Sequence, residues 1–217
     1  MGVIKRGILG GVSNKIGNVV GSSWKGIATL RSLPLSVANP NTAAQKNNRT
    51  SFSIMSKLGS DVLATVCQPL WNRDAKQMSG FNAYVMYNKM AFDADSLEWL
   101  INPIMAKGNL SATLSNAALA DGGANLTFVY DTAKVNPQDS NDDIAYLQVI
   151  HYDNSDPDKP EFHAKGFITD AKRSEGHVTV PNPFETSAGD KLILSLSFKS
   201  VDGREVANSS SLVITIA

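Results

Sequence analysis

The spacing of apolar residues changes twice along the chain, from glycine-interrupted to helical and then to strictly alternating. Residues 1–38 contain short β-type runs at 16–20 and 24–30, and Gly21-Ser22-Ser23 between them predicts a hairpin turn. An isolated hairpin buries too little apolar surface to be stable in water. Trp24 and the aliphatic residues around it are not typical of a flexible tail. We therefore expect an arm that becomes ordered against another molecule.

Helical spacing begins after Pro40. Thr42 and Gln45 have the spacing of a capping box, and one apolar face extends from there to about residue 68, where Pro69 is expected to end the helix. A second helix is predicted over residues 74–92, either kinked or begun by Ser79-Gly80. These two helices would form a hairpin within residues 39–102 that is too small for a core of its own.

Beyond residue 109 the period becomes two, which is typical of strands exposed on one face. Strands are predicted at residues 110–114, 125–130, 144–152, 162–169, 177–180, 191–200 and 211–216, with an Asp202-Gly203 turn before the last. Short strands separated by turn residues predict an immunoglobulin-like or fibronectin-like sandwich over residues 103–217. The predicted fold class is α+β, with an N-terminal β-arm and a helical hairpin followed by an all-β immunoglobulin-like sandwich.

Several motifs in the first half of the chain belong together. They are Gly10-Gly11-Val12-Ser13-Asn14-Lys15-Ile16-Gly17, Val20-Gly21-Ser22-Ser23-Trp24-Lys25-Gly26, Arg31-Ser32-Leu33-Pro34, the series Asn39-Pro40, Thr42, Gln45, Arg49 and Phe52, and Ser79-Gly80-Phe81-Asn82-Ala83-Tyr84 after Trp71. Over about residues 7–92 this set resembles an uncharacterised domain-of-unknown-function family common in Bacteroidota genomes. The resemblance implies a fold more than an activity. Similar two-helix segments in prophage-like gene neighbourhoods imply a virion or assembly role.

One position departs from that family's pattern. Typical members carry Gly-Lys where this chain has Asn14-Lys15. The departure matters only where the backbone must be left-handed, a conformation that Asn tolerates.

Charge is divided unevenly between the two parts of the chain. Residues 1–60 contain eight Lys or Arg residues and no Asp or Glu, although the whole chain contains 20 basic and 20 acidic residues. The remainder therefore holds 12 basic and 20 acidic residues, and a segment of net charge +8 is joined to one of −8. Such a basic segment is typical of proteins that bind either phosphates or an acidic protein surface.

The motifs of catalysis and cofactor binding are missing from the sequence. There is no Gly-x-Ser-x-Gly elbow, Walker-type loop or dinucleotide fingerprint, and Cys67 lies among apolar residues that predict burial. His151 and His163 flank a loop containing Asp153, Asp156 and Asp158, but that loop lacks the Gly and the bidentate Glu of a calcium site. We therefore expect no enzymatic activity, no cofactor and no bound metal.

Targeting signals are also missing from the sequence. No run of about 18 apolar residues is present, and the apolar run within residues 3–12 is too short and glycine-rich for a signal peptide. The expectation is cytoplasmic synthesis without a signal peptide or a membrane span, with the virion as a destination.

Together these features predict a non-enzymatic structural protein that assembles with copies of itself or with other proteins of a phage or phage-like particle. The arm of one subunit would dock on an acidic region of the next that also includes Asp139. The predicted interaction residues are Lys5, Arg6, Lys15, Trp24, Lys25, Ile27, Leu30, Arg31, Asp142, Asp143, Asp153, Asp156 and Asp158. Nucleic-acid binding by the arm is the first alternative. Adhesion or glycan binding through Tyr152 and the loop 153–160 is the second.

Overall fold

A computed structural model describes residues 3–4, 10–24, 27–36, 40–73, 75, 77–89, 92–93, 98–99, 103–155 and 161–216. Over these residues the fold is mixed and mostly β, and its sheets are antiparallel. Contacts between residues divide the chain into an N-terminal unit, Met1–Thr42, and a body, Ala43–Ala217.

The N-terminal unit contains one four-stranded sheet. Its strands follow each other in chain order as β1 (Val3–Ile4), β2 (Val12–Ile16), β3 (Val19–Trp24) and β4 (Ile27–Ser32). The predicted turn at Gly21-Ser22-Ser23 is wrong, since these residues lie inside β3. The turn between β2 and β3 is instead Gly17-Asn18, with Gly17 at a φ of 55°. Gly21 allows β3 to approach Val12 of β2 closely, because a Cβ at this position would lie 2.1 Å from the carbonyl oxygen of Val12.

Asn14 adopts the left-handed backbone conformation, with a φ of 71°. Asn is among the few residues that accept this conformation at small cost. The Asn-for-Gly difference from the typical motif is therefore compatible with the backbone at this position.

The helical part of the body begins with α1 (Ala43–Asp61), which is followed by a π-helix, Leu63–Trp71. The prediction that one helix runs to residue 68 and stops at Pro69 is wrong, because Pro69 lies inside the π-helix. The N–H of Cys67 donates to the carbonyl of Val62, five residues back, at 3.2 Å. This wider turn relieves the clash that a proline ring makes with the carbonyl four residues before it in an α-helix.

The next helix, α2, spans Gly80–Lys89 and so begins at Gly80 instead of residue 74. The Asn72 side chain accepts a hydrogen bond from the Gly80 N–H at 2.8 Å. A Cβ at Gly80 would lie 2.2 Å from the carbonyl oxygen of Cys67, so a glycine is required for this close approach. Of the two roles predicted for Ser79-Gly80, the helix start is confirmed.

The remaining strands of the body form three sheets. A short hairpin joins β5 (Phe92–Asp93) to β6 (Glu98–Trp99). A three-stranded sheet has the order β11-β8-β7 and a four-stranded sheet the order β10-β9-β12-β13. Their strands are β7 (Leu114–Ala120), β8 (Asn125–Tyr130), β9 (Ile144–Asp153), β10 (Glu161–Lys172), β11 (His177–Pro181), β12 (Lys191–Lys199) and β13 (Ser210–Thr215).

Six of the predicted strands are confirmed to within a few residues at their ends. The first is wrong: Leu110 forms only an isolated bridge with Ala207, and regular pairing begins at Leu114. The Asp202-Gly203 turn is confirmed, with Gly203 at a φ of 73° and its N–H donating to the Ser200 carbonyl at 2.8 Å.

The four-stranded sheet of the body is covered on both faces. Alternate residues of β9, including Tyr146 and Ile150, belong to one core cluster with α1, the π-helix and α2. The residues between them, including Leu147 and Val149, belong to a second cluster with the three-stranded sheet. This explains why β9 and β12 are buried along nearly their whole length. The helices therefore share their core with a sheet.

Candidate interaction site

The strand register of the N-terminal unit places apolar residues on both faces of its sheet, but Lys15 and Arg31 on one face only. Ile16 and Val19 are cross-strand partners. Val19 also pairs with Ser32 of β4, and Leu30 lies on the same side of β4 as Ser32. Because cross-strand partners point to the same face, Ile16, Val19 and Leu30 form one face, which we call the apolar face. Their exposed fractions are 45%, 40% and 64%, so all three side chains are exposed.

The opposite side of the same sheet is the basic face, defined by Lys15 and Arg31. Both residues pair with Val20 of β3, so the two cations flank that residue. Ile27, which is 60% exposed, is placed on the same side as Arg31 by its spacing along β4. Ile27 and Leu30 therefore cannot contact the same flat surface, although the sequence alone grouped them in one contact.

The other predicted residues of the arm are only partly covered by the described structure. The backbone of Trp24 pairs with Ile27 in the sheet. Lys5, Arg6 and Lys25 lie outside the described residues.

The predicted acidic surface splits into buried and exposed carboxylates. Asp139 and Asp143 are buried, and both lie against the buried guanidinium of Arg173, at 3.5 and 3.2 Å. A carboxylate held in this way is not available to a second subunit, so Asp143 does not belong to an acidic surface. The sequence suggested otherwise because a run of Asp residues is usually solvated.

Asp142 and Asp153 are the described carboxylates of the predicted set that reach the surface. Asp142 accepts a hydrogen bond from Lys172 Nζ at 2.8 Å, and this contact lowers the pKa of the carboxyl below its ordinary value. The pKa of Asp153 is lowered by hydrogen bonds from the hydroxyl and the N–H of Ser155. Both stay ionised at neutral pH. Asp156 and Asp158 lie outside the described residues.

The histidines flanking the 153–160 loop are separated by their surroundings. His151 is buried and its Nε2 lies 3.0 Å from Asp190 Oδ2, with the Phe184 ring stacked 5.2 Å away. His163 is 39% exposed at its side chain and lies 3.3 Å from Glu161. Within the described ranges, no group of three or more His, Cys, Asp or Glu side chains is arranged to hold a metal ion.

Asp190 anchors the loop that follows β9. Burial by itself raises the pKa of this carboxyl, but hydrogen bonds from the N–H groups of Ser187 and Asn154 and from His151 hold it below the ordinary value. The ionised Asp190 therefore has a structural role that its sequence context did not reveal.

Cys67 has the environment of a structural thiol. It is fully buried, and its Sγ donates to the carbonyl of Gly59 at 3.5 Å. Burial raises the pKa of Cys67 to about 12, so the thiol is protonated at neutral pH and is a poor nucleophile.

Sequence reasoning missed a cleft on the body that contains Trp71, Tyr87 and Lys107. Its residues come from three separate segments, so the only local signal was the presence of Met and aromatic residues around Trp71.

The comparisons with known proteins identify a family without an assigned activity. Among the described residues, no helix is both long and apolar enough to cross a membrane. No curated protein matches the chain. A family of unknown function, DUF6266, matches residues 10–213, which is nearly the whole sequence. The chain therefore belongs to the DUF6266 family.

Proposed function

We propose that the chain is a non-enzymatic structural protein that self-assembles, as a component of a phage or phage-like particle, through docking of its N-terminal arm on a neighbouring subunit. The observation that carries this proposal is the apolar face of Ile16, Val19 and Leu30, which is exposed on a four-stranded sheet. Small sheets are stable in water only when an apolar face is covered. A second subunit supplies such a cover.

The charge distribution supports contact between unlike parts of two subunits. The arm, residues 1–38, contains five basic and no acidic residues, and residues 39–217 therefore carry a net charge of −5. Docking of one arm on another would bring like charges together. Docking on a neighbouring body, where Asp142 is exposed and Asp153 is half-buried, brings unlike charges together. A contact of this heterologous kind forms closed rings or continues as a filament.

Strand order supports an immunoglobulin-like architecture for the two larger sheets of the body. Strands β7, β8 and β11 lie in one sheet, and strands β9, β10, β12 and β13 lie in the other. In chain order these are the first, second and fifth strands, and the third, fourth, sixth and seventh. This division matches the fibronectin-type arrangement of the sandwich. A sandwich with helices on its outer face would give the particle a rigid body to which the arm attaches.

The assembly proposal is tested by light scattering coupled to size exclusion, on the full chain and on a chain lacking residues 1–38. The two core clusters contain described residues from Met55 to Ala207 only, so the shortened chain should keep its cooperative unfolding transition. We expect the full chain to form multimers that weaken with added salt, and the shortened chain to be a monomer. Monomers from both chains at high concentration and low salt would show that the proposal is wrong.

Nucleic-acid binding is the second candidate function, and the basic face favours it. Lys15 and Arg31 flank Val20 on one side of the sheet, which is a suitable arrangement for neighbouring phosphates. Binding of arbitrary DNA with a steep salt dependence, lost in the chain lacking residues 1–38, would favour this function. Replacing Lys15 and Arg31 by Glu should then abolish binding.

A further inference from the structure

A cleft of about 470 Å³ opens on the surface of the body, where the end of the π-helix, α2 and the segment after Pro103 meet. Its lining includes Trp71, Arg73, Met78, Met86, Tyr87 and Lys107. No acidic side chain occurs among the described residues that line the cleft. Asp74 and Lys76 are not among the residues that the structure describes. The volume is in the range of sites that hold small organic ligands.

Two stacked aromatic rings form a rigid wall of the cleft. The rings of Trp71 and Tyr87 are 5.1 Å apart at an interplanar angle of 28°. Trp71 is 3% exposed, and its indole N–H donates to the carbonyl of Met105 at 2.7 Å, which fixes the ring. Tyr87 remains 36% exposed and presents an aromatic surface to the solvent.

Two methionines extend this apolar surface. Met78 and Met86 are 40% and 49% exposed, although Met55 and Met105 in the same body are fully buried. Methionine side chains are flexible and polarisable, so they adapt to ligands of different outline and make favourable contacts with aromatic rings. An exposed cluster of this kind beside an aromatic wall is typical of a binding surface.

The cleft also carries positive charge. Lys107 is exposed, its Nζ lies 4.9 Å from the centre of the Tyr87 ring, and it forms no ion pair with any described residue. Arg73 contributes a second cation, which lies 3.6 Å from Glu205. Asn109 also donates to that Glu205 carboxylate, at 3.1 Å. Lys107 therefore differs from Arg73 in having no ion-pair partner among the described residues.

We propose that this cleft binds a small organic anion that carries a planar apolar group. The planar group lies against Tyr87 and the two methionines, and the anionic group lies near Lys107, with Arg73 as a second partner. This arrangement uses the two kinds of contact that the cleft offers, an apolar wall and a cationic rim. The site is independent of the arm and so does not rest on the proposed assembly.

The test uses anilinonaphthalene sulfonate, a fluorescent planar anion, with the full-length protein. We expect saturable binding of one molecule per chain. The Lys107→Met variant should bind the probe about fivefold more weakly, because a partly exposed charge contact is lost. The Lys199→Met variant is the matched control, since Lys199 lies 6.0 Å from the Tyr146 ring in a similar Lys–Tyr pair outside the cleft lining. Its affinity should be unchanged.

A second readout locates the probe and separates binding in the cleft from general adhesion to apolar surface. In spectra of protein with methyl-labelled methionine, the signals of Met78 and Met86 should shift on titration, while that of Met55 stays in place. A neutral analogue without the sulfonate should bind more weakly. The proposal is overturned if the probe does not saturate, if both Lys variants lose affinity equally, if the neutral analogue binds as tightly, or if the Met78 and Met86 signals do not move.

Discussion

Arg173 and Asp143 form an ion pair inside the body, with Nε 3.2 Å from Oδ2 and side chains that are 1% and 0% exposed. Nη2 of the same guanidinium donates to the carbonyl of Ser111 at 2.8 Å, and its Cζ lies 4.2 Å from the centre of the Phe198 ring. Asp139 lies 3.5 Å away as a second carboxylate. The buried charges are tolerated because they are paired and because both carboxylates also accept hydrogen bonds from backbone N–H groups.

Replacing Arg173 by Met should destabilise the body strongly. The change keeps most of the side-chain volume but leaves Asp139 and Asp143 buried beside no cation. Removing one member of a buried charge network costs about 3 to 5 kcal/mol. Urea denaturation followed by circular dichroism measures this loss.

The adjacent Lys172 provides the control for that substitution. Its Nζ donates a hydrogen bond to Asp142 at 2.8 Å. Because both side chains are more than half exposed, solvent screens the ion pair. Lys172→Met should leave the denaturation midpoint nearly unchanged. Equal effects at positions 172 and 173 would contradict the assignment of the stabilising role to burial.

Stability should fall in acid because of Asp139 and Asp190. Burial alone raises the pKa of Asp139, yet hydrogen bonds from the Ser111 hydroxyl and the N–H groups of Asn136 and Ser111, with the charge of Arg173, hold it below its ordinary value. The pKa of Asp190 is lowered in a similar way. A carboxyl whose pKa is lower in the folded state stabilises the protein above its unfolded pKa and loses that effect as pH falls through the folded value.

The free energy of unfolding should therefore stay level down to about pH 5 and decrease below about pH 4. Asp190→Asn should lose about 2 kcal/mol at neutral pH, because its amide cannot accept all the hydrogen bonds that the carboxylate accepts. The same variant should show a shallower decrease in acid. Urea denaturation at a series of pH values measures both effects, and an unchanged acid slope in Asp190→Asn would exclude Asp190 as a source of it.

Strands were predictable from the sequence where local spacing determines the structure. The span 125–130 agrees with β8 at both ends, since its alternation of buried and exposed residues follows from packing on one face. The helix boundary at Pro69 failed because proline normally ends an α-helix, and nothing local signals that a π-helix accepts its ring.

The interaction site was less predictable, because it depends on long-range pairing. Asp139 and Asp143 resembled surface carboxylates, and the residue that buries them, Arg173, lies 30 residues beyond Asp143. The two faces of the N-terminal sheet depend on strand register, which the misplaced turn at residues 21–23 concealed. In each case the missing information was which segments lie side by side.

Replacing Asn88 by Ala should detach the segment after Pro103 from α2. The Asn88 amide donates to the carbonyl of Ile104 and accepts from its N–H, both at 2.8 Å, and also donates to the carbonyl of Tyr84. Losing this fully buried side chain leaves backbone groups unpaired, at a cost of about 3 kcal/mol. Asn82→Ala, at an exposed site of the same helix, is the control and should change the unfolding free energy little. Equal losses in both variants would contradict the stabilising role assigned to the Ile104 contact.

Replacing Leu30 by Arg should abolish assembly, whereas replacing Thr29 by Arg should not. Leu30 lies on the apolar face with Ile16 and Val19, and its neighbour Thr29 lies on the opposite side of β4. Both variants add the same charge to the same strand, so net charge cannot account for a difference between them. A desolvated guanidinium in the subunit contact would oppose docking, while one on the other side stays in water. Light scattering at several concentrations compares the multimer populations. Loss of multimers in both variants, or in neither, would contradict docking through the apolar face.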